Sequence, residues 1–126
     1  LGGSLANGYF VEPTIFADVT PDMTIAREEI FGPVMSVLPF DTEEEVLRMA
    51  NATPYGLGGA VWTRNLATGM RMVDGIKAGS VWLNCYGLLD ITTGMAGYKL
   101  SGYGIKGGPG YIDAFLYEKC VYINAA

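Results

Sequence analysis

Apolar and polar positions change period several times along this chain, and each change marks an element. An apolar run over 34–40 is too short for a helix and predicts a strand over 34–39. Five polar residues follow, Asp41, Thr42, Glu43, Glu44 and Glu45. Apolar residues then recur at helical spacing at Val46, Met49 and Ala50, which predicts one buried helix face. Thr42 and Glu45 stand three apart, the spacing at which each side chain satisfies a free N–H of the first turn. Glu44 and Arg48 are spaced to pair on the outer face. Pro54 stops the helix. A second strand is predicted over 57–63, a second helix over 66–77 and a third strand over 79–84. Strands alternating with helices across short turns predict an α/β fold, a mainly parallel sheet with crossover helices.

The flanks are less periodic. Residues 1–8 read as a loop and 18–24 as a turn. Residues 9–17 favour a strand, but Pro13 interrupts them and predicts an edge or a broken strand. Residues 85–108 read as a long, Gly-rich, largely irregular loop, and loops of that length are usually functional. A final helix is predicted over 110–118 and a final strand over 119–124.

Composition changes the picture. Half the 126 residues are hydrophobic, yet only 17% are charged, against the roughly 25% of soluble domains. A chain this small needs charge to cover its surface. The shortfall predicts that other chain or other subunits cover part of it. Leu1-Gly2-Gly3-Ser4 is no signal peptide and lacks an initiator Met, so the chain is expected to begin inside a longer protein. Net charge is −5 and no basic stripe exists, which argues against nucleic acid. No run of about 20 apolar residues argues for a membrane span. Cys85 and Cys120 form no C-x-x-C pattern and read as reduced thiols in a cytoplasmic protein. Cys85 reads as a pocket-lining or buried thiol, and Cys120 as a structural one within the final strand. No His is present, which removes His-based triads and, with two Cys, the usual zinc ligand set.

Two stretches carry candidate chemistry. Gly102-Tyr103-Gly104-Ile105-Lys106-Gly107 spells G-x-G-x-x-G, but no convincing strand precedes it, so a tightly turned loop is expected. Glu28-Glu29-Ile30-Phe31-Gly32-Pro33 sets two acids and a ring at a Gly-Pro turn before a strand. Adjacent acids point different ways, so a catalytic dyad is disfavoured. An acid accepting from hydroxyls beside a flat ring suits a sugar or nucleoside. A solvated Glu beside a core Phe fits local physics equally well.

The same stretch resembles the E-E-x-F-G-P segment of the NAD(P)-dependent aldehyde dehydrogenase superfamily. Four more segments are similar to family motifs, in family order: Gly8-Tyr9-Phe10-Val11-Glu12-Pro13-Thr14-Ile15-Phe16, Asn51-Ala52-Thr53-Pro54-Tyr55-Gly56-Leu57, Gly79-Ser80-Val81-Trp82-Leu83-Asn84 and Gly97-Tyr98-Lys99-Leu100-Ser101-Gly102. They cover essentially the whole chain. The resemblance implies that residues 1–126 are the C-terminal portion of the catalytic domain of an enzyme that oxidises an aldehyde to an acid with NAD or NADP. It implies that Glu29 bonds the nicotinamide ribose and that Phe31 packs beside the nicotinamide. It implies that Cys85, Tyr86, Leu89 and Met95 line the aldehyde pocket, and that 119–124 is a strand of a homo-oligomer. Gly94-Met95-Ala96-Gly97 replaces the family's Pro-Phe-Gly-Gly, a thioether for an aromatic. The family's nucleophilic Cys and general-base Glu lie upstream of the matched segments, so this chain is expected to hold no catalytic residue, to need the missing N-terminal part of its protein, and to be inactive alone. The rival reading is a non-enzymatic interaction or assembly module of the same ancestry.

Overall fold

The structure, a computed structural model, describes residues 2–125. The chain divides into two units, Leu1–Thr53 and Pro54–Ala126.

In the first unit β1 (Thr14–Phe16) runs parallel to β2 (Val34–Ser36), with Thr14 opposite Val34 and Phe16 opposite Ser36. β1 starts directly after Pro13, which has no N–H to give to a ladder. The ladder continues past both strands, through Thr14 N–H to Pro33 O (2.9 Å) and Val37 N–H to Phe16 O (2.8 Å). The crossover carries a one-turn helix, α1 (Thr24–Arg27), which starts at the last residue of the 18–24 turn and which the sequence does not predict. Ser36 Oγ donates to Ile25 O, fixing α1 on β2. Arg27 also donates to Asp22 O.

α2 (Glu43–Asn51) begins where its capping residues place it. Glu45 N–H donates to Thr42 Oγ1 at 3.1 Å, and Asp41 N–H donates to Glu45 Oε2 at 2.9 Å. The return bond lands one residue earlier than in the standard capping box. Two expectations change here. Arg48 pairs with Glu45, its i, i+3 neighbour on the helix surface, at 3.9 Å and not with Glu44. Ala50 is exposed, and Val46, Leu47 and Met49 are half-buried.

In the second unit β4 (Gly58–Val61) and β5 (Ser80–Leu83) are parallel, joined by α3 (Leu66–Gly75). Asn65 caps α3 by accepting from Thr68 N–H at 3.1 Å. Gly69 is buried against β5: a Cβ there would lie 2.8 Å from a Leu83 methyl. So Gly69, a poor helix former, is tolerated where helix and strand meet. Met72 is buried one turn on.

The fold is thus α/β with parallel strands, but the strands form separate pairs and not one three-stranded run. The long loop is less irregular than its composition suggests. Two antiparallel ribbons tie it: β3 (Tyr55–Gly56) with β7 (Tyr98–Lys99), and β6 (Met95–Ala96) with β8 (Ile105–Lys106). The expected 110–118 helix is a 3₁₀ helix, Pro109–Phe115, with Pro at its first position. Residues 119–124, expected as a strand of a homo-oligomer, pair with no strand among the described residues of this chain. A strand needs an edge to pair with. Cys120 is accordingly exposed and not part of a sheet.

The cores are thin. Among the described residues Val19 and Met72 are the buried apolar side chains. Large apolar groups such as Ile15, Trp62 and Leu66 stay mostly exposed. That matches a composition poor in charge and rich in surface that seeks cover.

Candidate functional site

Each unit presents one candidate region. In the first, the chain leaves α1 at Glu28, whose N–H bonds Thr24 O at 2.9 Å, and reaches β2 six residues later. Pro33 forms a tight turn, with Val34 N–H on Gly32 O at 2.7 Å. Since Pro33 O also accepts from Thr14, the turn is anchored to the strand pair. Phe31 has φ +52°, a left-handed conformation that a bulky residue rarely adopts. Its ring is 90% exposed. Glu29 is exposed as well. The alternative of a core Phe at this position is therefore excluded for this unit. A small cavity of about 330 Å³ beside the turn is lined by Pro13, Gly32 and Pro33 among others, and neither Glu29 nor Phe31 reaches it.

In the second unit the region lies where the chain leaves β5. A cavity of about 520 Å³ is walled by the strand itself, including Trp82, and by Leu88, Leu89, Asp90, Thr93 and Met95. Of the four residues that the sequence grouped as pocket lining, Leu89 and Met95 meet here. Cys85 is half-buried and Tyr86 exposed, and neither lines this cavity. Tyr86 instead packs on Trp82, ring centroids 5.1 Å apart and tilted by 57°.

The wall is tethered at several points. Trp82 Nε1 donates to Leu88 O at 2.9 Å. Gly108 N–H donates to Ile91 O at 3.1 Å. Gly79 lies so close to β6 that a Cβ would fall 1.6 Å from Ala96 O. Asp90 accepts from both the Thr92 hydroxyl (2.6 Å) and the Thr92 N–H (2.8 Å). The hydroxyl bond first, then the N–H, holds the Asp90 carboxyl below its ordinary range. Asp90 is thus an anion that fastens a turn. The sequence reading missed it, although Asp-x-Thr is a local turn signal. Trp82 was missed as a wall because it sits inside the strand.

The G-x-G-x-x-G string opens no α-helix. Its glycines take φ of +146° (Gly102), +77° (Gly104) and +77° (Gly107) around the short β8, a tightly turned loop as expected. Among the described residues no group of three His, Cys, Asp or Glu is placed to hold a metal. Among the described residues no helix is long and apolar enough to cross a membrane.

The chain matches the aldehyde dehydrogenase family over residues 1–121. It is 49% identical to a betaine aldehyde dehydrogenase of Agrobacterium fabrum over 98% of this chain and 26% of that protein. It superposes with TM-score 0.86 and 50% identity on the structure of an NAD+ complex of an aldehyde dehydrogenase from Bacillus cereus, over 94% of this chain and 24% of that one. A Mycobacterium tuberculosis aldehyde dehydrogenase complexed with NAD+ gives TM-score 0.85 at 43% identity, over 91% of this chain and 24% of that one. The chain therefore spans about a quarter of the length of the relatives it matches.

Proposed function

The chain belongs to the aldehyde dehydrogenase family, and we propose that its full-length protein oxidises an aldehyde to a carboxylic acid with NAD or NADP, this segment holding the nicotinamide ribose and walling the aldehyde pocket. The observation that carries this reading is the turn at 28–33. Phe31 is held left-handed with its ring 90% exposed, and Glu29 is exposed two residues before it. A bulky residue pays about 1–2 kcal/mol for that backbone, and such strain gathers at binding sites. An exposed carboxylate and an exposed ring fit a group that offers hydroxyls and a flat heterocycle. The dinucleotide, when bound, supplies the hydride acceptor.

On this reading Glu29 accepts hydrogen bonds from the ribose hydroxyls, and an ionised acceptor makes such bonds short and strong. Phe31 limits the tilt of the flat group beside it. Together they orient the reacting ring, and orientation is a large part of what an enzyme contributes to such a transfer. In the second unit Leu89, Met95 and Trp82 give an apolar wall for the aldehyde's carbon chain. Met95 is unbranched and adaptable, which suits a pocket of broad shape tolerance. Cys85 and Cys120 take no catalytic part. The nucleophile and general base are assigned to chain outside these 126 residues.

The test is Glu29→Ala in the full-length enzyme. The KM for the dinucleotide should rise roughly tenfold to a hundredfold, the worth of a charged hydrogen bond. Thermal stability should stay the same, because Glu29 is exposed. Unchanged kinetics would remove Glu29 from the site.

A further inference from the structure

The cavity wall leaves the sheet at Asn84, and the way it leaves is unusual. The last rung of the β4–β5 ladder is Asn84 N–H to Val61 O, at 2.8 Å. Beyond it the Asn84 side chain takes over. Its Oδ1 accepts from Thr63 N–H at 2.9 Å, and its Nδ2 donates to Thr63 O at 2.9 Å. The carboxamide stands in for a peptide group and adds one more rung past the end of β4. Meanwhile the Asn84 backbone turns to φ +56° and carries the chain away from the strand. Asn supplies a donor and an acceptor in one plane on a one-carbon stem, and it tolerates the left-handed region. Asp lacks the donor, Gly lacks both groups, and Gln is one carbon too long.

The clamp is also linked to the neighbouring take-off. Thr63 Oγ1 accepts from Asn65 N–H at 3.1 Å, and Asn65 caps α3. Both connections that leave the carboxyl ends of this strand pair are set by one run of polar side chains. Downstream, Trp82 Nε1 holds Leu88 O, so residues 85–88 are fixed at both ends. Leu88 and Leu89 then stand on the cavity.

We propose that Asn84 is a positioning residue for the aldehyde pocket: its carboxamide, clamped on the Thr63 backbone, fixes where the 85–89 wall stands. This rests on the reading above that the cavity receives the aldehyde. The experiment compares wild type, Asn84→Gly and Asn84→Ala in the full-length enzyme, with steady-state kinetics for both substrates and hydrogen exchange of peptides covering 85–95. Gly keeps the left-handed backbone and removes the clamp, whereas Ala removes the clamp and adds strain. In both variants the aldehyde KM should rise about tenfold, the cost of two lost hydrogen bonds, with the dinucleotide KM unchanged. Exchange in 85–95 should quicken several-fold while that of α3 holds. Wild-type kinetics in Asn84→Gly would overturn the proposal, since the backbone angle alone would then suffice. Equal rises in both KM values, or unchanged exchange, would overturn it too. A wild-type enzyme that oxidises no aldehyde would sink the functional reading instead, and the exchange comparison would still decide the clamp.

Discussion

Phe31 and Asn84 share a left-handed backbone, at φ +52° and +56°, and use it in opposite ways. Asn84 spends both polar ends of its side chain on the neighbouring backbone. Its unusual angle lets a sheet end cleanly and a loop begin. Phe31 has an apolar ring almost wholly exposed, so nothing in its own unit rewards the angle. Gly32 and Pro33 hold the turn around it. One residue is bent in order to be tied, and the other is bent in order to be shown. A left-handed residue whose side chain is satisfied locally is part of the scaffold, and one whose side chain is left bare points to a ligand.

The glycines beside the two regions give the largest test of that contrast. Gly79→Ala should destabilise by about 3 kcal/mol or more, because its Cβ would meet backbone rather than a side chain that yields. Gly32→Ala should cost no more than about 0.5 kcal/mol, since the nearest atom to its Cβ is a methyl of Ile30 at 3.7 Å. Melting temperatures of the two full-length variants check this directly. Similar losses would mean that the first turn is as tightly built as the second, and the contrast would fail.

A smaller effect separates display from scaffold at Phe31 itself. Phe31→Gly relieves about 1–2 kcal/mol of left-handed strain and returns about 0.5–1 kcal/mol in chain entropy, so stability should rise slightly. Dinucleotide binding should weaken at the same time. Greater stability with weaker binding, seen by melting and titration, marks strain kept for function. A loss of stability would show that the ring is packed in the full protein and is scaffold after all.

The smallest effect concerns acid. The Asp90 carboxyl is held below its ordinary 3.8 by the Thr92 hydroxyl and N–H. A depressed carboxyl stabilises the fold above its unfolded value, and that contribution is lost as pH falls through the lowered one. Exchange of the 90–95 amides should therefore quicken as pH drops below 3.8, after correction for intrinsic rates. Asp90→Asn should flatten this dependence, and an unaltered profile would show that Asp90 does not fasten the wall. The fully exposed setting keeps the effect modest.

How much of this was legible beforehand varies with the range of the contact. α2 and its cap were readable because Thr42 and Glu45 are one turn apart. The turn at 28–33 was visible as a motif, yet local physics left its Phe between core and ligand. Arg48's true partner was one residue from the expected one, a choice made by side-chain geometry that spacing does not resolve. Of the four residues grouped as pocket lining, Leu89 and Met95 stand on the cavity beside β5 together with Trp82 and Asp90, and Cys85 and Tyr86 do not, a division that no pattern within an irregular loop reveals.

The sequence by itself determined the periods, the caps, the turn residues and the family motifs, because each depends on neighbours within a few positions. The tertiary structure alone decided which strands pair. It also tied the Gly-rich loop into ribbons, through contacts such as Gly56 N–H on Ser101 Oγ across 45 residues. It likewise set Asn84 on Thr63 across 21 residues. Among the described residues no ladder of this chain includes 119–124, because a strand exists only where an edge meets it. Contacts of that span depend on where the whole unit brings its backbone together, and a local pattern carries no record of it.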